Sequence, residues 1–146
     1  MQARLKLESS FEVELGRIEN YSIVFDKHRA GRVSFVKFKI KDPIPLGWGY
    51  LNEIYIEPTH RNRGIAREVV SAFGSDLRIK RENGILINAI TVEKARSMYD
   101  HLGWKRINID GNYQILPIVE VSNFCLRKAC HLVADNFIRW QASSLN

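Results

Sequence analysis

The chain has no stretch approaching the roughly 18 consecutive apolar residues that a membrane-spanning helix requires. Its first residues, MQARLKLESS, carry no secretory core, so the expected location is the cytoplasm. Cysteine is scarce. Cys125 and Cys130 lie five apart in a helix-like segment, where their side chains point in different directions. That spacing argues against a disulfide and leaves two structural thiols. Metal-ligand patterns are missing as well: CLRKACH does not have a zinc spacing, and His28, His60, His101 and His131 have no partners that suggest a triad or a metal site. With no internal repeat, low-complexity tract or Pro/Gly/Ser linker, residues 1–146 read as a single domain, long enough to close a core without staples.

What is present is the composition of a soluble globular protein, 45% apolar and 26% charged. The formal charge of +6 and a pI near 9.5 favour an anionic partner. Nucleic acid, a phosphorylated cofactor and an acidic protein all fit, and part of the excess is solubilising surface.

The first 41 residues have strand character. FEVEL alternates Phe11, Val13 and Leu15 with Glu12 and Glu14, as a half-buried strand does. YSIVFD and GRVSFVKFKIK flank KHRAG, which reads as a hairpin loop. In the second of these, Val36, Phe38 and Ile40 share one face and Lys37, Lys39 and Lys41 the other. The lysines form a solvated sheet face, with a nucleic-acid-binding stripe as the rival reading. DPIPLGWG is a turn-rich connection, and YLNEIYIE is a further strand closed by Pro58. From Gly64 the period changes. Ile65, Val69, Phe73 and Leu77 recur every four residues, with Ala66 and Val70 widening the stripe of a helix that packs on a sheet. Asn83-Gly84 suits a left-handed cap at its end, and ILINAI then reads as a strand buried on both faces. Strand, helix and strand together imply a parallel pair joined by a right-handed crossover. A short helix follows, with Thr91 as its cap, Glu93 at its positive end, Ala95, Met98 and Leu102 on its inner face and Gly103 at its stop. WKRI and NYQILPIVEV read as antiparallel closing strands around an NIDGN turn. From Ser122 to about Trp140 the four-residue spacing of Cys125, Ala129, Val133 and Phe137 predicts a last helix.

EPTHRNRGIAREVV crowds Arg61 and Arg63 against Gly64 where the first helix starts. A helix N-terminus offers unpaired N–H groups and partial positive charge, and Gly64 removes a side chain so that backbone can approach a ligand closely. Consecutive N–H groups from Asn62 through Arg63, Gly64 and Ile65 to Ala66 could converge on a diphosphate, with Arg61 and Arg63 supplying charge-assisted bonds or screening. As a bare pattern Arg-x-x-Gly-x-Ala is weak, since exposed arginines before a turn glycine are common.

IYIEPTHRNRGIA closely resembles the acetyl-CoA-binding segment of the GCN5-related N-acetyltransferases (GNAT), with Ile56, Pro58, Arg61, Gly64 and Ala66 in the family's places. AITVEKARSMYDHLGW resembles the second hallmark through Ala95, Tyr99, Gly103 and Trp104. The two matches keep order and spacing over residues 48–107. The resemblance implies an α+β, three-layer-like fold: a mixed, mostly antiparallel central sheet with one parallel, splayed strand pair and a central crossover helix. It implies acetyl transfer from acetyl-CoA to an amine by direct attack, without a metal, and pantetheine hydrogen-bonded to strand backbone near Ile54 and Ile56. It also implies a Tyr99 hydroxyl that protonates the departing thiolate. Glu53 and Tyr55 share a strand face opposite Ile54 and Ile56, which makes Glu53 the candidate base, acting through water; a solvated or ion-paired carboxylate is the plain alternative. Two departures stand out. Val92 occupies a position where the family usually has Asn, and there is no room between Leu7 and Tyr21 for the two helices that wall the family's acceptor site. The C-terminal helix is the expected replacement, a second subunit being the other option. The acceptor implied by the basic surface is an acidic macromolecule, an aminoacylated RNA or a protein patch, and a catalytically inactive CoA-binding or interaction module is the alternative function.

Overall fold

The computed structural model describes residues 2–14, 16–39, 48–80, 84–88, 93–108, 112–117 and 122–144. The alternating N-terminal segments form three antiparallel strands, β1 (Arg4–Val13), β2 (Gly16–Phe25) and β3 (His28–Phe38). The β1–β2 connection is tight, with Val13 opposite Gly16. Among the described residues no helix separates these two strands, in accord with the sequence expectation. The second hairpin turns on Asp26 and Lys27, both at positive φ (52° and 65°), as a two-residue type I′ loop requires. KHRAG is therefore mostly strand: His28 faces Phe25 and the loop is shorter than the polar composition predicts.

β4 (Trp48–Ile56) pairs antiparallel with β3 and parallel with β5 (Gly84–Asn88), with helix α1 (Ile65–Lys80) crossing between them. Gly84 is the first residue of β5, opposite Trp48, so it does not cap α1. Asn83, Thr91 and Val92, like Leu15, Ile40 and Lys41, lie outside the described residues. After α2 (Glu93–His101), β6 (Lys105–Asn108) and β7 (Asn112–Pro117) complete a seven-stranded sheet in the order β1-β2-β3-β4-β5-β7-β6. Trp104 precedes β6 rather than opening it. The last helix, α3 (Asn123–Ser144), is capped by Ser122, whose Oγ accepts from the Cys125 N–H at 3.3 Å.

The two sheet faces carry separate cores. Ile23, Val33, Phe35 and Leu51 pack under Ile65, Val69 and Tyr99 of α1 and α2, with Phe35 stacked on Phe73 at 5.6 Å. On the opposite face Ile18, Val36, Phe38 and Tyr50 pack under Ala129, Val133 and the fully buried Trp140 of α3. Lys37 and Lys39 are ion-paired with Glu19 and Glu12, which makes the lysine row a neutralised sheet face. Cys125 and Cys130 are not joined in a disulfide. Among the described residues no helix is long and apolar enough to cross a membrane.

Candidate active site

The site begins at a fault in β4. Phe35 of β3 faces Leu51 and Ser34 faces Glu53, so Asn52 is an extra residue on β4. Such a bulge bends its strand and resets which face each later side chain occupies. Leu51, Ile54 and Ile56 consequently all pack toward α1, while Asn52, Glu53 and Tyr55 face the other way. Buried Asn52 holds the bulge: its Nδ2 donates to the Trp140 carbonyl at 3.0 Å and to Ser34 Oγ at 3.3 Å. Just before the bulge the parallel pairing of β4 with β5 stops, the last partners being Tyr50 and Leu86. β4 runs on for six residues to Ile56, and Ile87 and Asn88 of β5 pair only with β7. Among the described residues β5 therefore pairs with β4 only as far as Tyr50, and a fork opens between the two parallel strands alongside Leu51 to Ile56.

The loop leaving β4 points at this fork. Glu57 N–H donates to the Ala30 carbonyl at 2.7 Å, and Pro58–His60 form one 3-10 turn. Arg61 then folds back, its Nε donating to the Ile56 carbonyl at 2.8 Å while its guanidinium lies 5.4 Å from the Tyr55 ring. Arg61 thus braces the loop against the end of β4. Asn62 and Gly64 both adopt positive φ, 64° and 75°. Glu68 N–H donates to the Gly64 carbonyl at 3.1 Å, so the N–H groups of Ile65, Ala66 and Arg67 have no partner within the helix. A Cβ on Gly64 would meet nothing within 4 Å, so the space over the helix start is open.

A cleft of about 400 Å³ joins these parts. Its walls include Ile54 and Ile56 on β4, Arg61, Asn62, Gly64, Ile65 and Ala66 on the loop and helix start, and Lys94 and Met98 on α2. The residues expected to bind a cofactor are thereby gathered in one place, except Arg63, which is exposed and outside the cleft lining. Lys94 is the residue that sequence reasoning missed. Its ammonium donates to Asn62 Oδ1 at 3.3 Å, linking α2 to the loop. No local pattern marks a lysine in the first turn of a helix as a cleft residue; only the packing of α2 beside the loop does so.

Tyr99, the next residue of α2 after Met98, is 2% exposed, belongs to the core under α1 and is not among the residues that line the cleft. Its position follows from how α2 ends. Gly103, at φ 88°, lets Trp104 N–H reach the Tyr99 carbonyl at 3.0 Å and Gly103 N–H reach Asp100 at 3.1 Å, the Schellman closure. The accompanying apolar contact is Tyr99 against Trp104, rings 5.0 Å apart. Tyr-x-x-x-Gly-aromatic is thus a helix-stop motif that also seats the phenol. Burial, and secondarily the neighbouring Tyr50, push the Tyr99 phenol well above its ordinary value, so it stays protonated. Glu53 stands on the other face of β4, in a 2.9 Å ion pair with Arg32, whose guanidinium also lies 4.6 Å over the Tyr55 ring. The structure therefore places Glu53 across the strand from the cleft, in the ion-paired state that was the plain alternative for it. Among the described residues no group of three or more His, Cys, Asp or Glu is placed to hold a metal ion.

A forked sheet with a glycine-opened helix start beside the fork defines the GNAT acetyltransferase fold. Residues 42–114, half of the chain, match the family described as FR47-like protein, and the chain belongs to that family within the GNAT superfamily. Solved structures share the fold. A Bacillus subtilis acetyltransferase in complex with CoA has a TM-score of 0.57 at 12% identity, covering 81% of this chain and 99% of that one. The ribosomal-protein-S18-alanine N-acetyltransferase of Escherichia coli gives 0.56 at 17% identity, with 77% and 75% covered. An acetyltransferase of the GNAT family from Staphylococcus aureus Mu50 gives 0.54 at 11% identity, with 70% and 68% covered. A search of curated proteins finds no match.

Proposed function

We propose that the protein is an N-acetyltransferase that uses acetyl-CoA to acylate a primary amine. The observation that carries this reading is the coincidence of two openings: the β4–β5 fork beyond Tyr50 and the unobstructed Gly64 at the start of α1. The N–H groups of Ile65, Ala66 and Arg67 suit a diphosphate, because they are free of helical partners and carry the positive end of the dipole. Lys94 and Arg67, both lining the cleft, add charge there. The β4 edge at the fork suits an amide-bearing arm such as pantetheine, which adds to it as a further strand would.

Acetyl-CoA supplies the activated acyl group. The amine nitrogen attacks the thioester carbon; a C–N bond forms and the C–S bond breaks. A β4 backbone N–H at the fork stabilises the charge that grows on the carbonyl oxygen. Tyr99, protonated at any physiological pH, gives its proton to the departing sulfur. Glu53 takes the proton lost by the amine, through water, once its pairing with Arg32 loosens. The acceptor we favour is an amine on an acidic macromolecule, either an aminoacylated RNA or a protein, reached in the cytoplasm.

One observation favours a second reading, a CoA-binding module without transfer: Glu53 is held by Arg32 at 2.9 Å rather than turned to the cleft. Calorimetric titration with acetyl-CoA tests the binding shared by both readings. Mass spectrometry of pooled amine acceptors incubated with acetyl-CoA then separates them. Absence of CoA binding refutes both; binding without any acetylated product leaves the module.

A further inference from the structure

Four side chains from β3, β4 and the loop that opens α1 form one continuous series. It starts at Glu53, whose Oε1 accepts from both Nε and Nη2 of Arg32 at 2.9 Å. Arg32 stands directly opposite Tyr55 in the β3–β4 register, and its guanidinium lies 4.6 Å over the Tyr55 ring. The same ring is approached at 5.4 Å by the guanidinium of Arg61, which lines the cleft. The series ends where Arg61 Nε donates to the Ile56 carbonyl at 2.8 Å. Each link has a physical reason. An aromatic face attracts a guanidinium. Two guanidinium groups around one ring repel each other, and the Glu53 carboxylate offsets that repulsion by neutralising Arg32. With Nε taken by the Ile56 carbonyl, the terminal nitrogens of Arg61 are the donors left for an anion.

We propose that Tyr55, Arg32 and Glu53 are positioning residues for the cofactor: together they hold Arg61 where the diphosphate of acetyl-CoA meets it. This rests on the acetyl-CoA reading of the cleft, and it gives Glu53 a task in cofactor binding that is separate from taking up a proton. Arg61 is exposed, and an exposed arginine has several rotatable bonds. Fixing such a side chain only when the ligand arrives costs about two- to tenfold in affinity. A guanidinium already held by a ring and a carbonyl avoids that loss. The ring is steadied in turn by Arg32, and Arg32 by Glu53 on the same strand as Tyr55. Neither Arg32 nor Glu53 lines the cleft, so their effect on the cofactor reaches it through Tyr55 and Arg61.

Calorimetric titration of single and paired variants with CoA tests the series. Arg32→Leu and Tyr55→Leu should each bind CoA about two- to tenfold more weakly than the parent. The double variant should bind no more weakly than Tyr55→Leu alone, because both changes remove the same support. Tyr55→Phe keeps the ring and should bind as the parent does. Glu53→Gln should weaken CoA in the same direction, which a residue serving only as a base would not do. S-acetylpantetheine keeps the arm of the cofactor and lacks its diphosphate; followed by ligand-observed NMR, it should bind the parent and every variant alike. Parent-like CoA affinity in Arg32→Leu overturns the proposal even where Tyr55→Leu fails to fold, and so do additive losses in the double variant. An equal loss toward S-acetylpantetheine overturns it too, since the cleft as a whole would then be distorted. Failure of the parent to bind CoA would sink the acetyl-CoA reading of the cleft and this proposal with it, whereas parent binding with unaffected variants sinks this proposal alone.

Discussion

Gly64 and Gly103 make a matched pair for a decisive test. Both adopt positive φ, 75° and 88°, and at both a Cβ would meet no protein atom within 4 Å. Replacing either by alanine forces an L-residue into the left-handed region, which costs roughly 1–2 kcal/mol. Alanine recovers about 0.4–1 kcal/mol by narrowing the unfolded ensemble. The net loss is about 1 kcal/mol at each site, equivalent to roughly 2–4 °C in Tm for a chain of this length. Ligand binding should separate the two variants. At position 64 the new methyl stands in the open space over the N–H groups of Ile65 and Ala66. Losing close approach to two charge-assisted hydrogen bonds, at roughly 1.5–3 kcal/mol each, weakens CoA by about a hundredfold or more. At position 103 the methyl lies outside the cleft lining, so CoA affinity should stay within about twofold of the parent. Thermal denaturation and calorimetric titration on the same three proteins read both quantities. Parent-like CoA affinity in Gly64→Ala would refute the helix-start grip, and equal losses in both variants would show that affinity merely tracks stability.

Three further outcomes follow from the same geometry. Tyr99→Phe keeps the ring contact with Trp104 and removes only the acidic hydroxyl, so acetyl transfer should slow by about a hundredfold or more with CoA affinity retained; an unchanged turnover in a steady-state assay removes Tyr99 as the acid. Asn52→Ala leaves the buried Trp140 carbonyl without its 3.0 Å donor and should cost about 1–3 kcal/mol in denaturant unfolding, whereas a loss near zero would mean that the bulge holds without it. The hydrogen bond from Arg106 holds the Asp100 carboxyl below its ordinary value of 3.8, so this group contributes stability above that value and loses it as pH falls through the lowered one. Asp100→Asn should therefore melt earlier than the parent at neutral pH and converge with it in acid; a gap that persists in acid would assign the effect to packing.

Much of this architecture was legible because it rests on local rules. Alternation in FEVEL and YSIVFD, the four-residue stripe after Gly64 and the helix stop at Gly103 each follow from one strand or one helix burying one face. The loop at Gly64 was legible for a similar reason, because a glycine between a strand and its crossover helix constrains backbone whatever else surrounds it. What escaped the sequence depends on relations between elements. The bulge at Asn52 is visible only against the register of β3, and nothing in YLNEIYIE shows which residue is surplus. Alternation from Ile54 and Ile56 put Glu53 and Tyr55 on the opposite face correctly, but the same alternation carried back past the bulge would put Leu51 there as well, whereas it packs toward α1. Lys94 reaches Asn62 across 32 positions of sequence, and Asn52 reaches Trp140 across 88, so neither contact has a local signature. The hairpin in place of helices between β1 and β2 joins these observations. With no described helix there, α3 packs on its sheet face through Ala129, Val133 and Trp140, and the Trp140 carbonyl meets the residue that holds the bulge. One buried amide therefore ties the bulge of β4 beside the cleft to the last turns of α3 on the opposite sheet face.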